Sequence, residues 1–291
     1  MATYHARPIQ GSQSDLGEGT LWDERTQTLI YLDVLKNTVI EYNPSNRSIV
    51  KHLLPSLVSY IGKRKSGGYV VALGDRLAYL DKLFRIEKEF PLAINPKEAR
   101  TNDGNIDHLG QIWIGFADQV KGARKGSLNR IEKDLSTNTQ RSQIAISNGI
   151  DWSSDKQTVF YIDSLSRRID RFKFDPKTGT ILNELSSIDT SDVNGLPDGM
   201  CTDSLGNLWV AFWGKGEVRN YTPEGELLNS VEVPTSLTTC CTFGGKDLNT
   251  LYITSANCSH DTQFAFGEKY QGMLFEVKLP FAGKLDNYYL D

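Results

Sequence analysis

A repeat constrains this chain more than any other feature of it. The segments Asp107-His-Leu-Gly-Gln-Ile-Trp-Ile-Gly and Asp203-Ser-Leu-Gly-Asn-Leu-Trp-Val-Ala are plainly alike. Each reads as a turn built on Asp and Gly, followed by a strand carrying an aromatic residue. Weaker copies run from Asp23 to Tyr31, Ser66 to Ala72, Asp155 to Tyr161 and Lys246 to Tyr252. With Tyr31, Val70, Trp113, Tyr161, Trp209 and Tyr252 taken as equivalent, six units of about 45 residues fill nearly all of the 291-residue sequence. Between the copies, apolar residues recur mostly at every second position, and no amphipathic helix of about ten residues or more stands out. Four short strands per unit, repeated radially, describe a β-propeller blade. The spacing predicts an all-β, six-bladed propeller forming one domain over residues 1–291. Each blade should have four antiparallel strands, and the two chain ends should meet in one blade.

Just ahead of the turns lie runs that would form the innermost strands. They read Leu16-Gly-Glu18-Gly19-Thr-Leu-Trp, Arg100-Thr-Asn102-Asp103-Gly104, Ile146-Ser-Asn148-Gly149-Ile-Asp-Trp and Leu196-Pro-Asp198-Gly199-Met-Cys. An acid or an amide followed by glycine recurs at matching places: Glu18, Asp103, Asn148 and Asp198. The other two units carry Val58-Ser-Tyr-Ile and Thr239-Cys-Cys-Thr-Phe-Gly. Innermost strands converge on the propeller axis, so these oxygens would ring one point, and the glycines would let strands approach closely there. An Asp-Gly or Asn-Gly pair alone marks a hairpin turn. Four of them in register are better explained by one divalent cation, which would neutralise carboxylates that are otherwise expensive to bury together. Carboxylate and amide oxygens suit Ca²⁺, Mg²⁺, Mn²⁺ or Zn²⁺.

Other chemistries find no support. The chain holds no GxSxG elbow, no GxxxxGK[ST] loop and no EF-hand spacing. The four histidines, His5, His52, His108 and His260, are scattered, and His108 in its repeat turn reads as an exposed residue. Trp113, Tyr161 and Trp209 read as core. A net charge of −4 argues against a nucleic-acid partner, and Lys63-Arg64-Lys65 is too short a basic run to change that. No apolar run approaches the roughly 18 residues of a membrane span. Met1 to Gln10 lacks an apolar signal core, so secretion is not expected. Cys201, Cys240, Cys241 and Cys258 lack CxxC spacing and read as reduced thiols, which suits the cytoplasm.

Taken together these residues resemble the regucalcin/gluconolactonase family, also called senescence marker protein, with the luciferin-regenerating enzymes as close relatives. The resemblance spans about Gly17 to Leu274. Its most specific pieces are Gly17-Glu-Gly-Thr-Leu-Trp, Asn102-Asp-Gly, Ile146-Ser-Asn-Gly-Ile-Asp-Trp-Ser, Phe160-Tyr-Ile-Asp-Ser, Pro197-Asp-Gly-Met-Cys and Cys240-Cys-Thr-Phe-Gly-Gly. It implies a six-bladed propeller with one divalent cation in the central channel, held by Glu18, Asn148 and Asp198. It also implies substrate contacts from Arg100 and Asn102. The glycine alignment chose Asp103 where the family chooses Asn102, and a one-residue offset reverses the face of a strand side chain.

The resemblance further implies a metal-dependent lactonase acting on aldonolactones, with Asp198 as ligand and as the base that activates water. Hydrolysis of a luciferin-like ester or an organophosphate, and a non-enzymatic Ca²⁺-binding regulator, are the alternatives. One departure stands out. Many members carry Gly-Thr-Met and then a sugar-contacting acid, where this chain reads Gly115-Phe116-Ala117-Asp118-Gln119-Val120. Asp118 is the nearest acid to that place and is taken as the third substrate contact. Phe116, Ala117 and Val120 should line an apolar pocket rim.

Overall fold

Asp107 and Asp203 explain the two strongest repeat copies. The Asp107 carboxylate accepts the backbone N–H groups of Leu109 and Gln111 and the indole N–H of Trp113, at 2.9, 2.9 and 3.0 Å. Asp203 does the same with Leu205, Asn207 and Trp209, at 3.0, 2.9 and 3.1 Å. One carboxylate thus closes the turn and pins a fully buried tryptophan of the following strand. His108, in the first of these turns, is partly buried rather than exposed, and its Nε2 lies 2.7 Å from the Pro176 carbonyl.

The computed structural model describes residues 1–120, 122–257 and 267–291; Cys258 and His260 lie outside the described residues. Six antiparallel sheets stand in a ring, with two three-residue 3₁₀ turns, Val34–Lys36 and Ser164–Ser166. The innermost strands are Gly17–Asp23, Tyr60–Arg64, Ala99–Ile106, Ser147–Trp152, Leu196–Thr202 and Thr238–Gly244, for blades 1 to 6. Each packs against the innermost strands on either side, and the sixth returns to the first. Apolar side chains between the blades form the core clusters, with Trp22, Trp113 and Trp209 fully buried among them.

The expectation of four antiparallel strands per blade holds for four blades. Blade 5 gains Ala2–His5 and blade 2 gains Tyr288–Tyr289, each paired parallel as a fifth strand. Blade 6 closes the ring as the repeat implies, its outer strand Arg7–Pro8 pairing with Phe275–Lys278. The end of the chain then crosses to blade 2. On the way Lys284 donates to Asp151 at 2.8 Å and Asn287 donates to the Ile106 carbonyl at 2.9 Å. This strap lies over the C-terminal ends of the innermost strands.

Five of the six innermost strands carry an extra residue. Pairing slips between Glu18 and Leu21, Thr101 and Gly104, Ser147 and Ile150, Pro197 and Met200, and Thr238 and Cys241. Blade 2 is regular there. The slips also correct the repeat alignment. Just past them Ile150 pairs with Tyr161, whereas Gly104, Met200 and Cys241 pair with Ile114, Val210 and Ile253. Tyr161 therefore matches Ile114, not Trp113, and points to the other face of its sheet; in blade 1 Leu21 pairs with Ile30, so Tyr31 is out of register with Trp113 as well.

Candidate active site

In blades 3, 4 and 5 the bulges fall on the polar residues that the sequence singles out, and in blade 1 the bulge begins just after Glu18. A bulge leaves residues outside the ladder and bends the strand, which re-aims side chains toward the axis. In blade 3 both Asn102 and Asp103 lie in it, so neither the glycine alignment nor the family alignment names the only axial residue. Asn102 faces Asn148 at the mouth formed by the N-terminal ends of the innermost strands, its Nδ2 donating to Oδ1 at 3.0 Å. Asp103 lines an axial cavity of about 40 Å³ just below, with Tyr60, Cys201, Cys240, Cys241 and Asp286.

Glycine explains how backbones come this close. A Cβ on Gly149 would sit 2.8 Å from the Asp198 carbonyl oxygen, and one on Gly199 would sit 2.6 Å from the Cys240 Sγ. Gly19 has φ of +58°, the left-handed region that residues with a Cβ rarely enter.

Two further carboxylates, neither of them among the expected site residues, set the approach to the site. Asp33 accepts the N–H groups of Asp15 and Leu16 at 3.0 and 3.2 Å, and Asp163 accepts those of Ala145 and Ile146 at 3.2 and 3.0 Å. Each ends the second strand of its blade and fixes the backbone two or three residues before Glu18 or Asn148. Their signal was present as Tyr31-Leu-Asp33 and Tyr161-Ile-Asp163.

Glu18, Asn148 and Asp198 come to one mouth from blades 1, 4 and 5. Asn148 and Asp198 are buried and Glu18 is partly buried. Burial, then the Asp103 charge, pushes the Glu18 carboxyl up to about 8. Burial, then Glu18 and Asp103, raises Asp198 well above the carboxylate range. Burial raises Asp103 to about 6. Carboxyls desolvated and crowded in this way are relieved either by protonation or by a bound cation. Among the described residues no cluster of three or more His, Cys, Asp or Glu side chains has the arrangement to hold a metal ion. The donor set is two carboxylates and one amide oxygen, a hard set that fits a divalent cation.

Arg100 and Asn102 adjoin this set. The Arg100 Nη1 donates to the Thr101 carbonyl at 2.9 Å and to the Asn102 Oδ1 at 2.8 Å. Asp118 does not join them. It pairs with Ala99, one position from Arg100, so it takes the opposite face of the sheet. Its carboxylate is occupied by the N–H groups of Val120 and Arg124, at 3.0 and 2.6 Å. Of the residues expected at the rim, Phe116 pairs with Thr101 and is buried in the core, while Ala117 pairs with Arg100 and shares its face.

The fold and this cluster define a class: a six-bladed propeller whose polar groups gather at one end of the axial channel. Within that class the family is shown by the sequence itself. Residues 16–257 match the SMP-30/Gluconolactonase/LRE-like region, and the chain belongs to that family. Regucalcin of Gallus gallus is 36% identical over 269 residues, 90% of each chain. YvrE of Bacillus subtilis (strain 168), named as a candidate sugar lactone lactonase, is 33% identical over 286 residues, covering 92% of this chain and 95% of that one. The structure of a calcium-binding protein, regucalcin, from Agrobacterium tumefaciens superposes with a TM-score of 0.91 at 26% identity, covering 99% of this chain and 98% of that chain.

Proposed function

We propose that this protein is a divalent-metal-dependent lactonase that opens sugar lactones. The observation that carries the reading is the meeting of Glu18, Asn148 and Asp198 at one mouth, beside the Arg100–Asn102 pair. The calcium-binding description of the regucalcin neighbour and the lactonase name of YvrE support it.

Glu18, Asn148 and Asp198 are the residues that would hold the ion. When bound, a divalent cation would polarise the lactone carbonyl and offset charge on the tetrahedral oxyanion. Asp198 accepts the proton of the attacking water as the new C–O bond forms, and returns it to the ring oxygen as the old C–O bond breaks. Arg100 has further N–H groups beyond those committed to Thr101 and Asn102, and these orient lactone oxygens. Among the described residues Cys201, Cys240 and Cys241 are free thiols, which supports a reducing compartment such as the cytoplasm. No helix among the described residues is long and apolar enough to cross a membrane.

The test is an assay of chelator-stripped protein against aldonolactones and phosphotriesters, with Ca²⁺, Mg²⁺, Mn²⁺ and Zn²⁺ added back singly. Lactone hydrolysis restored by one or more cations is expected. Full activity after stripping would remove the metal from the mechanism, and turnover of phosphotriesters alone would reassign the substrate class.

A further inference from the structure

One hydrogen-bond chain runs across three blades through the site. Arg100 Nη1 donates to Asn102 Oδ1 at 2.8 Å, and Asn102 Nδ2 donates to Asn148 Oδ1 at 3.0 Å. Asn148 Nδ2 donates to Ser164 Oγ at 2.7 Å, and Ser164 Oγ donates to the Pro197 carbonyl at 2.7 Å. The two ends fix the direction of the chain, together with the Ser147 carbonyl, which also accepts from Asn102 Nδ2 at 2.8 Å. A guanidinium can only donate and a carbonyl can only accept. Flipping either amide would put donor against donor or acceptor against acceptor. Ser164 is the one link with a hydroxyl free to serve both sides, and its acceptor is the residue just before Asp198.

The same turn elsewhere in the fold supplies an internal control. Val34 opens the 3₁₀ turn of blade 1 as Ser164 opens that of blade 4. Val34 N–H donates to the Leu16 carbonyl at 2.9 Å, and Ser164 N–H donates to the Ile146 carbonyl at 3.0 Å. The turn therefore needs no hydroxyl. Blade 1 presents Glu18, whose two carboxylate oxygens are equivalent, and its turn carries valine. Blade 4 presents Asn148, whose amide has an oxygen end and a nitrogen end, and its turn carries serine.

We infer that Ser164 is a positioning residue that sets the polarity of the Asn148 amide, so that the oxygen and not the NH₂ group is presented to the cation, and that it ties this orientation to the backbone of Asp198. The inference deepens the proposed function and rests on Asn148 as a metal ligand. Residues that orient a ligand typically change metal affinity by about 10–100-fold when lost.

Two measurements separate this inference from that reading. In metal-free protein, the Asn148 side-chain NH₂ resonances, assigned by their absence in Asn148→Asp, should be protected from solvent exchange and lose protection in Ser164→Ala. That readout does not depend on any cation binding. Calorimetric Ca²⁺ and Mn²⁺ affinities should then fall about 10–100-fold in Ser164→Ala. They should fall less than about threefold when Ser164→Ala is made in an Asn148→Asp background, because a carboxylate has no wrong end. Unchanged protection would overturn the orienting role. Equal losses in both backgrounds would make Ser164 a purely structural residue. A parent protein that binds no cation while protection behaves as expected would overturn the metal reading and leave the amide polarity standing.

Discussion

The charge of Glu18 raises the carboxyl of Asp198, although blade 6 stands between their blades in the ring. Only convergence of the innermost strands on the axis can bring them into reach. Asp103, on the other side of Glu18, pushes both upward. This relationship gives the metal-free protein a definite pH dependence. Glu18 moves from 4.5 to about 8 and Asp103 from 3.8 to about 6 on folding. Their folded values lie above the unfolded ones, so the folded state holds extra protons between those limits. The stabilisation is complete below about pH 4 and is lost as pH rises toward about 8. Urea midpoints of chelated protein should therefore fall from pH 5 to pH 8. Saturating Ca²⁺ should flatten or reverse the trend, because binding a cation releases those protons. A chelated protein more stable at pH 8 than at pH 5 would contradict the clustering.

Asp198→Asn separates chemistry from stability. The amide keeps an oxygen donor and removes both the proton acceptor and a poorly compensated charge. Turnover should fall by about 100-fold or more. The chelated variant should melt at a higher temperature than the chelated parent, since a desolvated carboxylate is gone. Near-normal turnover in folded Asp198→Asn would assign the base elsewhere.

The sheet arithmetic of this molecule was legible because it repeats: an Asp turn that captures an indole N–H, as at Asp107 and Asp203, leaves a signature in sequence. Glu18, Asn148 and Asp198 were legible for the same reason, one polar residue per repeat followed by glycine. Three things were not. The bulges that put Asn102 and Asp103 both on the axis depend on cross-strand register, which a single strand does not record. The strap carrying Asp286 and Tyr288 has no repeat to announce it. Asp118 stood near the expected acid in sequence, yet strand alternation turned it to the opposite face from Arg100 and its own loop took up its carboxylate.

Gly149 is a position where the close approach of blades can be tested directly. A Cβ there would stand 2.8 Å from the Asp198 carbonyl oxygen and 3.0 Å from the Met200 nitrogen, both backbone atoms that cannot swing aside. Gly149→Ala should lower stability by about 1–3 kcal/mol, the usual range for overpacking. It should also weaken Ca²⁺ binding, because it pushes Asn148 and Asp198 apart. Chemical denaturation and calorimetry read the two effects. Full stability with unchanged affinity would show that the inner strands have more room than their separation indicates.

Substrate preference follows from which residues share Arg100's face. Ala117 does, and Asp118 does not. A site built to hydrogen-bond a hydroxyl discriminates strongly against analogues lacking it, whereas an apolar rim discriminates weakly. With alanine beside Arg100, and Asp118 committed to the Val120 and Arg124 N–H groups, strand Ile112–Asp118 supplies no acid on Arg100's face to a sugar hydroxyl. The protein should therefore favour pentono- or deoxy-lactones over gluconolactone in kcat/KM. The comparison is of glucono-, xylono-, arabino- and rhamnono-lactones with one cation at one pH. Asp118→Asn should leave the ranking unchanged, because the Asp118 side chain serves its loop. A clear preference for gluconolactone that disappears in Asp118→Asn would return Asp118 to the substrate site. The same preference surviving in Asp118→Asn would place hydroxyl recognition on Arg100 and Asn102 alone.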